Sequence, residues 1–240
     1  MKKADLIITG AVIIVLLPFF IFAPVLDAYK ALNAEHAYLM SFIKFAILAT
    51  FGECIGLRIR KGVYNKPGFG ILPRAIVWGI LGISIKMAFV IFGEGAPAML
   101  KTMGIHFSSV NPADILREPG FSWMKLFTAF SVSTTMNLIF APVFMAFHRI
   151  TDIHILRTGG TLSGFFTRLR IGQSVREVNW YDFWTFVIKK TIPLFWIPAQ
   201  TINFMLPEGY RILVAAVYGI ILGILMSLAA LMHDKKIHEN

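Results

Sequence analysis

The sequence predicts an all-α fold, a polytopic membrane helical bundle of about six transmembrane helices. Hydrophobic residues make up 57% of the chain and the mean hydropathy is +0.70, whereas soluble domains contain roughly 45–50% apolar residues. The apolar residues come in long blocks rather than amphipathic stripes, which is typical of spanning helices. Each span needs about 20 apolar residues, so the 240 residues suit a single integral membrane domain over 1–240.

Six apolar blocks give the predicted spans, near residues 5–26, 38–56, 74–92, 123–147, 183–206 and 210–232. The first begins behind Lys2 and Lys3 and is interpreted as an uncleaved helix, because its apolar core exceeds a signal h-region and Pro24 makes a poor cleavage site. The fifth is irregular, since Pro193 and Pro198 each remove a backbone donor. That span must therefore be buried against other helices or water.

Basic residues accumulate in alternate loops, which predicts that both termini are cytoplasmic. The basic segments follow the second, fourth and sixth spans, and they contain Arg58, Arg60, Lys61, Lys66 and Arg74, then Arg149, Arg157, Arg168, Arg170 and Arg176, then Lys235 and Lys236. The opposite loops are balanced or poor in base. Membrane orientation thus accounts for the net charge of +10, and no nucleic-acid partner is expected.

The basic segment 165–184 has two interpretations. Its arginines interleave with apolar residues, so it could form a surface helix that holds anionic lipid headgroups at Arg168, Arg170 and Arg176. A solvated basic loop is the alternative. The lipid bilayer is the expected partner in either case, and the sequence leaves open whether the chain forms a homo-oligomer.

Four polar residues within the predicted spans are candidates for a pathway or polar core: Lys86, Asn137, Gln200 and Asn203. A charge at the centre of a span costs about 2.5–3.5 kcal/mol, so Lys86 should reach an amide, a water-filled cavity or, by snorkelling, the outer surface. Gln200 and Asn203 lie one turn apart and should both point into the bundle. Asn137 could equally be a hydrogen-bonding link between helices.

Catalytic chemistry is not expected. No metal-ligand spacing, phosphate loop or nucleophile elbow is present, and the six histidines are scattered, so the sequence predicts no enzyme, cofactor or metal. Glu53 and His148 remain as candidate proton carriers, but both lie near predicted helix ends, where solvation is the favoured interpretation. The single cysteine, Cys54, has no disulfide partner and is interpreted as a buried thiol.

Small residues indicate where helices pack closely. Ala215, Gly219, Gly223 and Ser227 recur every four residues in the last span and form a flat seam for another helix. Gly79 and Gly82 are candidates for the same role in the third span.

A set of residues toward the C-terminus carries a family resemblance: Trp196, Pro198, Gln200, Asn203, Phe204, Pro207, Tyr210 and Arg211. Ser227, further along the chain, matches a later serine of the same pattern. This pattern resembles the C-terminal signature of the Mpv-seventeen family of peroxisomal and inner mitochondrial membrane proteins. Upstream, Phe140-Ala141-Pro142 and Gly52-Glu53 look like two further elements of that family. The chain departs from the family where less polar residues replace its polar ones, at Met136-Asn137, Leu57 and Leu222-Gly223.

The resemblance implies an integral membrane protein for which a channel-like conductance has been proposed, without catalysis. The leading hypothesis is a channel or small-solute transporter, and the alternative is a structural or partner-binding membrane protein. The Met-Lys-Lys start favours a prokaryotic inner membrane, with the mitochondrial inner membrane as the alternative. Because the helix dipole disfavours a cation at the start of the last helix, Arg211 should be held by Glu208, Glu94 or a loop carbonyl.

Overall fold

The computed structural model of the chain describes the backbone of residues 3–239 and their side chains, apart from those at 229, 230 and 232–239. The predicted charges at Lys2, Lys235 and Lys236 fall outside this description. The α-helices are α1 (Lys3–Ile21), α2 (Ala23–Glu35), α3 (Ala37–Lys61), α4 (Ile71–Thr102), α5 (Trp123–Arg157), α6 (Leu162–Phe165), α7 (Ile171–Glu177), α8 (Trp180–Asp182), α9 (Ile197–Met205) and α10 (Glu208–Glu239).

The remaining helical segments are a 3-10 helix over Pro112–Leu116 and a π-helix over Phe183–Trp196. The described residues contain no strand. The all-α prediction is therefore confirmed.

Among the described residues, five helices are long and apolar enough to cross a membrane: Lys3–Ile21, Ala37–Lys61, Ile71–Thr102, Trp123–Arg157 and Glu208–Leu228. They fit a multi-pass membrane protein. The predicted span 183–206 is not among them because its helical run is divided between the 14-residue π-helix and the 9-residue α9. Pro193 lies inside the π-helix and cannot donate a backbone hydrogen bond. The count of six spans is therefore approximate.

The chain forms two compact units, residues 1–40 and 41–240. In the first, the predicted helix 5–26 is wrong in extent, because α1 ends at Ile21 and Phe22 has an extended backbone. Pro24 lies in the first turn of α2, where its missing N–H would have had no helical partner. Within this unit the Phe19 and Tyr29 rings meet edge to face at 5.6 Å.

In the second unit, ion pairs fix the relative direction of three helices. Arg74, in the first turn of α4, pairs with Glu53 of α3 and Asp152 of α5. The C-terminal parts of α3 and α5 therefore lie beside the N-terminal part of α4, and we call this the basic end. Glu94 of α4 pairs instead with Arg117, in the connection to α5, at what we call the opposite end.

Small residues let the helices of this unit approach closely. A Cβ atom on Gly82 would lie 2.6 Å from the Ser41 carbonyl oxygen, so α3 and α4 touch along the backbone there. A Cβ atom on Gly56 would lie 2.9 Å from Ser227 Oγ, and one on Gly223 would lie 3.7 Å from the Gly52 carbonyl oxygen. The part of the predicted seam formed by Gly223 and Ser227 thus packs on α3.

The other two seam residues, Ala215 and Gly219, have different surroundings. Ala215 is buried, whereas a Cβ atom on Gly219 would meet nothing within 4 Å.

The predicted orientation can be tested by cysteine labelling in a Cys54→Ser background. Lys101 lies at the end of α4 and Arg168 lies in the basic segment between α6 and α7. A membrane-impermeant maleimide should label Lys101→Cys from outside intact cells and Arg168→Cys only from inside, because basic loops stay cytoplasmic. Equal labelling of both positions from one side would contradict the topology.

Candidate functional site

A cavity of about 430 Å³ lies among α3, α4, α5, α9 and α10. Its volume is in the range of small-molecule sites. Most of its wall is apolar, and this part includes Phe45, Ala49, Ile85, Phe89, Met136, Phe140, Phe144, Met145, Trp196, Leu222 and Met226. Its charged lining residues are Arg60, Arg149 and four members of a polar cluster.

The polar cluster consists of Glu53, Arg74, Trp78, His148 and Asp152. Arg74 Nη1 donates to Glu53 Oε2, and it donates to Asp152 Oδ1 at 2.8 Å. Trp78 Nε1 donates to Glu53 Oε1 at 2.7 Å. His148 Nε2 lies 3.4 Å from Glu53 Oε1 and 3.8 Å from Asp152 Oδ1. The cluster therefore joins two carboxylates, a guanidinium and an imidazole from three helices.

The Arg74 side chain is also held from the loop that precedes α4. Its Nε donates to the Phe69 carbonyl oxygen at 2.8 Å, and its Cζ lies 4.6 Å from the centre of the Phe69 ring. A cation over an aromatic face is attracted by the ring quadrupole. The loop is packed tightly, because a Cβ atom on Gly160, which has a φ of +66°, would lie 2.7 Å from the Gly68 carbonyl carbon.

The same cluster has one arrangement of ligand atoms that could hold a metal ion. Single ligand atoms of Glu53, His148 and Asp152 all lie within 4.8 Å of one another. However, Arg74 Nη1 already bonds both carboxylates, and a metal cation would have to displace or repel it. The arrangement is therefore better suited to an ion-pair network with a titratable imidazole than to a metal centre.

The expectation that Glu53 and His148 are solvated at helix ends is wrong. Their side chains are only 20% and 15% exposed, because α3 continues to Lys61 and α5 to Arg157. Sequence reasoning also missed Arg74 and Asp152. The available signal was spacing: Arg74 and Trp78, like His148 and Asp152, are four apart and so share a helix face.

The four predicted polar residues separate into two groups. Asn137 and Gln200 line the cavity, whereas Lys86 and Asn203 do not. Lys86 Nζ lies 3.5 Å from Glu208 Oε1, so its partner is a carboxylate at the opposite end rather than one of the expected amides. Asn137 Nδ2 donates to the Ser133 carbonyl oxygen at 2.9 Å within its own helix.

Gln200 and Asn203 both point inward, as predicted, and are 4% and 0% exposed. Asn203 Nδ2 donates to Gln200 Oε1 at 2.9 Å and to the Arg211 carbonyl oxygen at 3.0 Å. Asn203 Oδ1 is a buried acceptor that no donor in the described part of the chain reaches. Another bond joins neighbouring helices, since Ser133 Oγ donates to the Ile197 carbonyl oxygen at 2.7 Å.

Arg211 is held by backbone carbonyls, which confirms one of its three predicted acceptors. Its guanidinium donates to the carbonyl oxygens of Leu116 at 2.8 Å, Leu206 at 3.0 Å and Phe204 at 3.2 Å. The Phe204 ring is fully buried and its centre lies 5.3 Å from Arg211 Cζ. Of the other residues in the resemblance, Trp196 lines the cavity, and Pro198, Pro207 and Tyr210 are exposed.

A second ionic group lies at the opposite end and is more exposed. Arg117 pairs with Glu94, with Asp114 at 3.2 Å and with Glu208 at 3.8 Å. The hydrogen bond that Arg117 donates to the Glu94 carboxylate raises the pKa of the Arg117 guanidinium. These pairs, together with that of Lys86, connect α4, its following loop and the start of α10.

The basic segment 165–184 does not form one surface helix. Its helices are α7, α8 and the first residues of the π-helix, and α6 ends at Phe165. Arg168, Arg170 and Arg176 are exposed. Their binding to anionic lipid stays a prediction.

No family model, curated protein or solved structure matches the chain. The resemblance to the Mpv-seventeen family therefore rests on the quoted residues alone.

Removing Arg211 or Asn203 should lower stability. Arg211→Ala leaves three carbonyls without these donors, and unsatisfied buried groups cost about 1–3 kcal/mol each, so we expect a loss of about 2–4 kcal/mol. Asn203→Ala should cost about 1–2 kcal/mol. Thermal unfolding in detergent measures both, with Arg168→Ala as an exposed arginine control. Unchanged melting of Arg211→Ala would contradict a structural role for this network.

Proposed function

We propose that the protein is a channel or small-solute transporter and that the central cavity is part of its pathway. The observation that carries the proposal is a ligand-sized cavity among five helices with a cluster of ionisable side chains at one end. Ionisable residues are expensive within a membrane and commonly mark substrate or ion pathways. The resemblance to a family with a proposed channel-like conductance supports the same interpretation.

The two ends of the cavity support a pathway that is open on one side. Among its lining residues only Arg60 and Arg149 are exposed, which favours an opening at the basic end. Toward the opposite end, Phe89 and Phe204 meet with ring centres 5.0 Å apart, next to the buried Gln200–Asn203 pair. Passage would require this packed region to open, as in transporters whose site is reached from one side at a time.

A structural or partner-binding membrane protein is the second candidate. It is favoured by the hydrogen bonds from Asn203 Nδ2 to Gln200 Oε1 and to the Arg211 carbonyl oxygen, which tie α9 to the start of α10. Under this alternative the cavity would not conduct. We propose a prokaryotic inner membrane as the location and the lipid bilayer, with anionic headgroups at Arg168, Arg170 and Arg176, as the partner.

Filling the cavity should stop transport without unfolding the protein. Gly219 lines the cavity and a Cβ atom there meets nothing within 4 Å, so Gly219→Phe should reduce flux about tenfold or more by occupying ligand space. Gly95 is also helical, is exposed and has open space around it, so Gly95→Phe is the matched control.

The measurement is the swelling of protein-containing liposomes in isosmotic acetate, glycine or urea, together with thermal unfolding of each variant. Wild type and Gly95→Phe should swell alike and faster than empty liposomes. Swelling of the wild type at the rate of empty liposomes would contradict transport. Equal swelling of the two glycine variants would show that the cavity is not the pathway.

A further inference from the structure

We infer that the cavity binds an amphipathic organic anion, with its acidic group at Arg60 and Arg149 and its apolar part against the cavity wall. This inference names a solute class for the cavity proposed above as a pathway. Transport of the anion rests on that proposed function, whereas binding of the anion is argued from the residues at the cavity opening, the charges there and the apolar lining.

The mouth of the cavity is defined by two arginines. Every other lining residue is buried or half-buried, and only Arg60 and Arg149 are exposed. Arg60 lies two turns beyond Glu53 toward the end of α3, and Arg149 follows His148 on α5. A solute that enters from water at this end therefore meets two guanidinium groups first.

These two arginines carry charges that no described carboxylate balances. Neither takes part in an ion pair among the residues that the structure describes, and Arg60 Nε donates only to the Gly56 carbonyl oxygen, at 3.3 Å. Arg74, by contrast, is balanced by Glu53 and Asp152. The cavity lining thus contains three arginines but only two carboxylates, Glu53 and Asp152, so positive charge is in excess there. Guanidinium groups bind carboxylates and phosphates through paired hydrogen bonds.

The cavity wall beyond the two arginines is apolar and therefore favours a ligand with an apolar chain or ring. Phe89, Phe140, Phe144, Met136 and Leu222 line it, and apolar surface removed from water contributes about 25 cal/mol per Å². An inorganic anion would leave this surface unused. A cationic amphiphile would be repelled at the mouth, so an acid with a short apolar chain or ring has the matching chemistry.

Such an anion could come from two sources. A free organic acid would enter from water through the arginine mouth. An anionic lipid would place its headgroup at the same arginines and an acyl chain in the cavity. The acidic group and apolar chain are common to both, so the experiment must separate the sources.

Binding can be measured by fluorescence quenching in phosphatidylcholine nanodiscs. Trp78 and Trp196 line the cavity, so the exposed Trp123, Trp180 and Trp184 are first replaced with Phe. The probe is 8-bromooctanoate, whose bromine quenches nearby tryptophan, and octanoate, octylamine and octanol are the competitors. We expect saturable quenching that octanoate displaces about tenfold more effectively than octylamine, because charge-assisted hydrogen bonds favour the anion.

Variants of the mouth test the role of the two arginines. Arg60→Gln with Arg149→Gln should weaken octanoate binding about tenfold and leave octanol binding unchanged, and the matching pair of Lys substitutions should restore most of the affinity. Arg168→Gln with Arg170→Gln, which changes exposed arginines outside the cavity, should have no effect. Because all four arginines are exposed, these variants should fold, and thermal unfolding verifies this.

Adding phosphatidylglycerol to the nanodiscs separates the sources. If phosphatidylglycerol competes with octanoate, the site is assigned to a lipid anion. If phosphatidylglycerol does not compete, the site is assigned to a free organic acid. Equal displacement by octanoate and octylamine, or unchanged octanoate affinity in the double Gln variant, would overturn the inference. Octanoate binding without any liposome flux would contradict the transport proposal and leave the binding inference standing.

Discussion

The pairing of Arg74 with Glu53 and Asp152 is the interaction on which the arrangement of α3, α4 and α5 depends. A buried charge is tolerated only when it is paired and hydrogen-bonded. Arg74 lies in the first turn of α4, where the helix dipole also disfavours a cation. The two carboxylates, the Phe69 carbonyl and the Phe69 ring together compensate it. Three helices must meet in one register to supply these partners.

The two ends of this unit stabilise a buried arginine in different ways. Arg211 is held by three neutral carbonyls, which cannot exchange protons. Arg74 is held by carboxylates with an imidazole beside them, and these groups can exchange protons. Arg74, the buried arginine with titratable partners, lies at the end where the cavity reaches the exposed Arg60 and Arg149.

Apolar content and proline chemistry were enough to predict the all-α class, the positions of α3, α4, α5 and α10, and the irregular segment around Pro193. Helical spacing also predicted the inward direction of Gln200 and Asn203. The break at Phe22 was missed because Pro24 was weighed only against signal cleavage.

The polar cluster could not be predicted in the same way, because apolar blocks mark only the part of a helix that faces hydrocarbon. α4 begins before its apolar block and α5 continues beyond its own. Arg74 was therefore placed at the edge of the predicted span 74–92 and counted with the basic loop, and Asp152 lay outside the predicted span 123–147. The partner of Lys86 was missed for a related reason. Glu208 lies far along the chain, and its proximity is a property of tertiary packing that local periodicity does not contain.

The most direct test of this account is a double-mutant cycle between Arg74→Ala and Glu53→Gln, measured by reversible unfolding in detergent. Because it leaves buried carboxylates uncompensated, Arg74→Ala alone should cost about 3 kcal/mol or more. The double variant should be more stable than the sum of the two losses predicts, with a coupling energy of about 1–3 kcal/mol. Additive losses, with no coupling between the two positions, would contradict the central role of this ion pair.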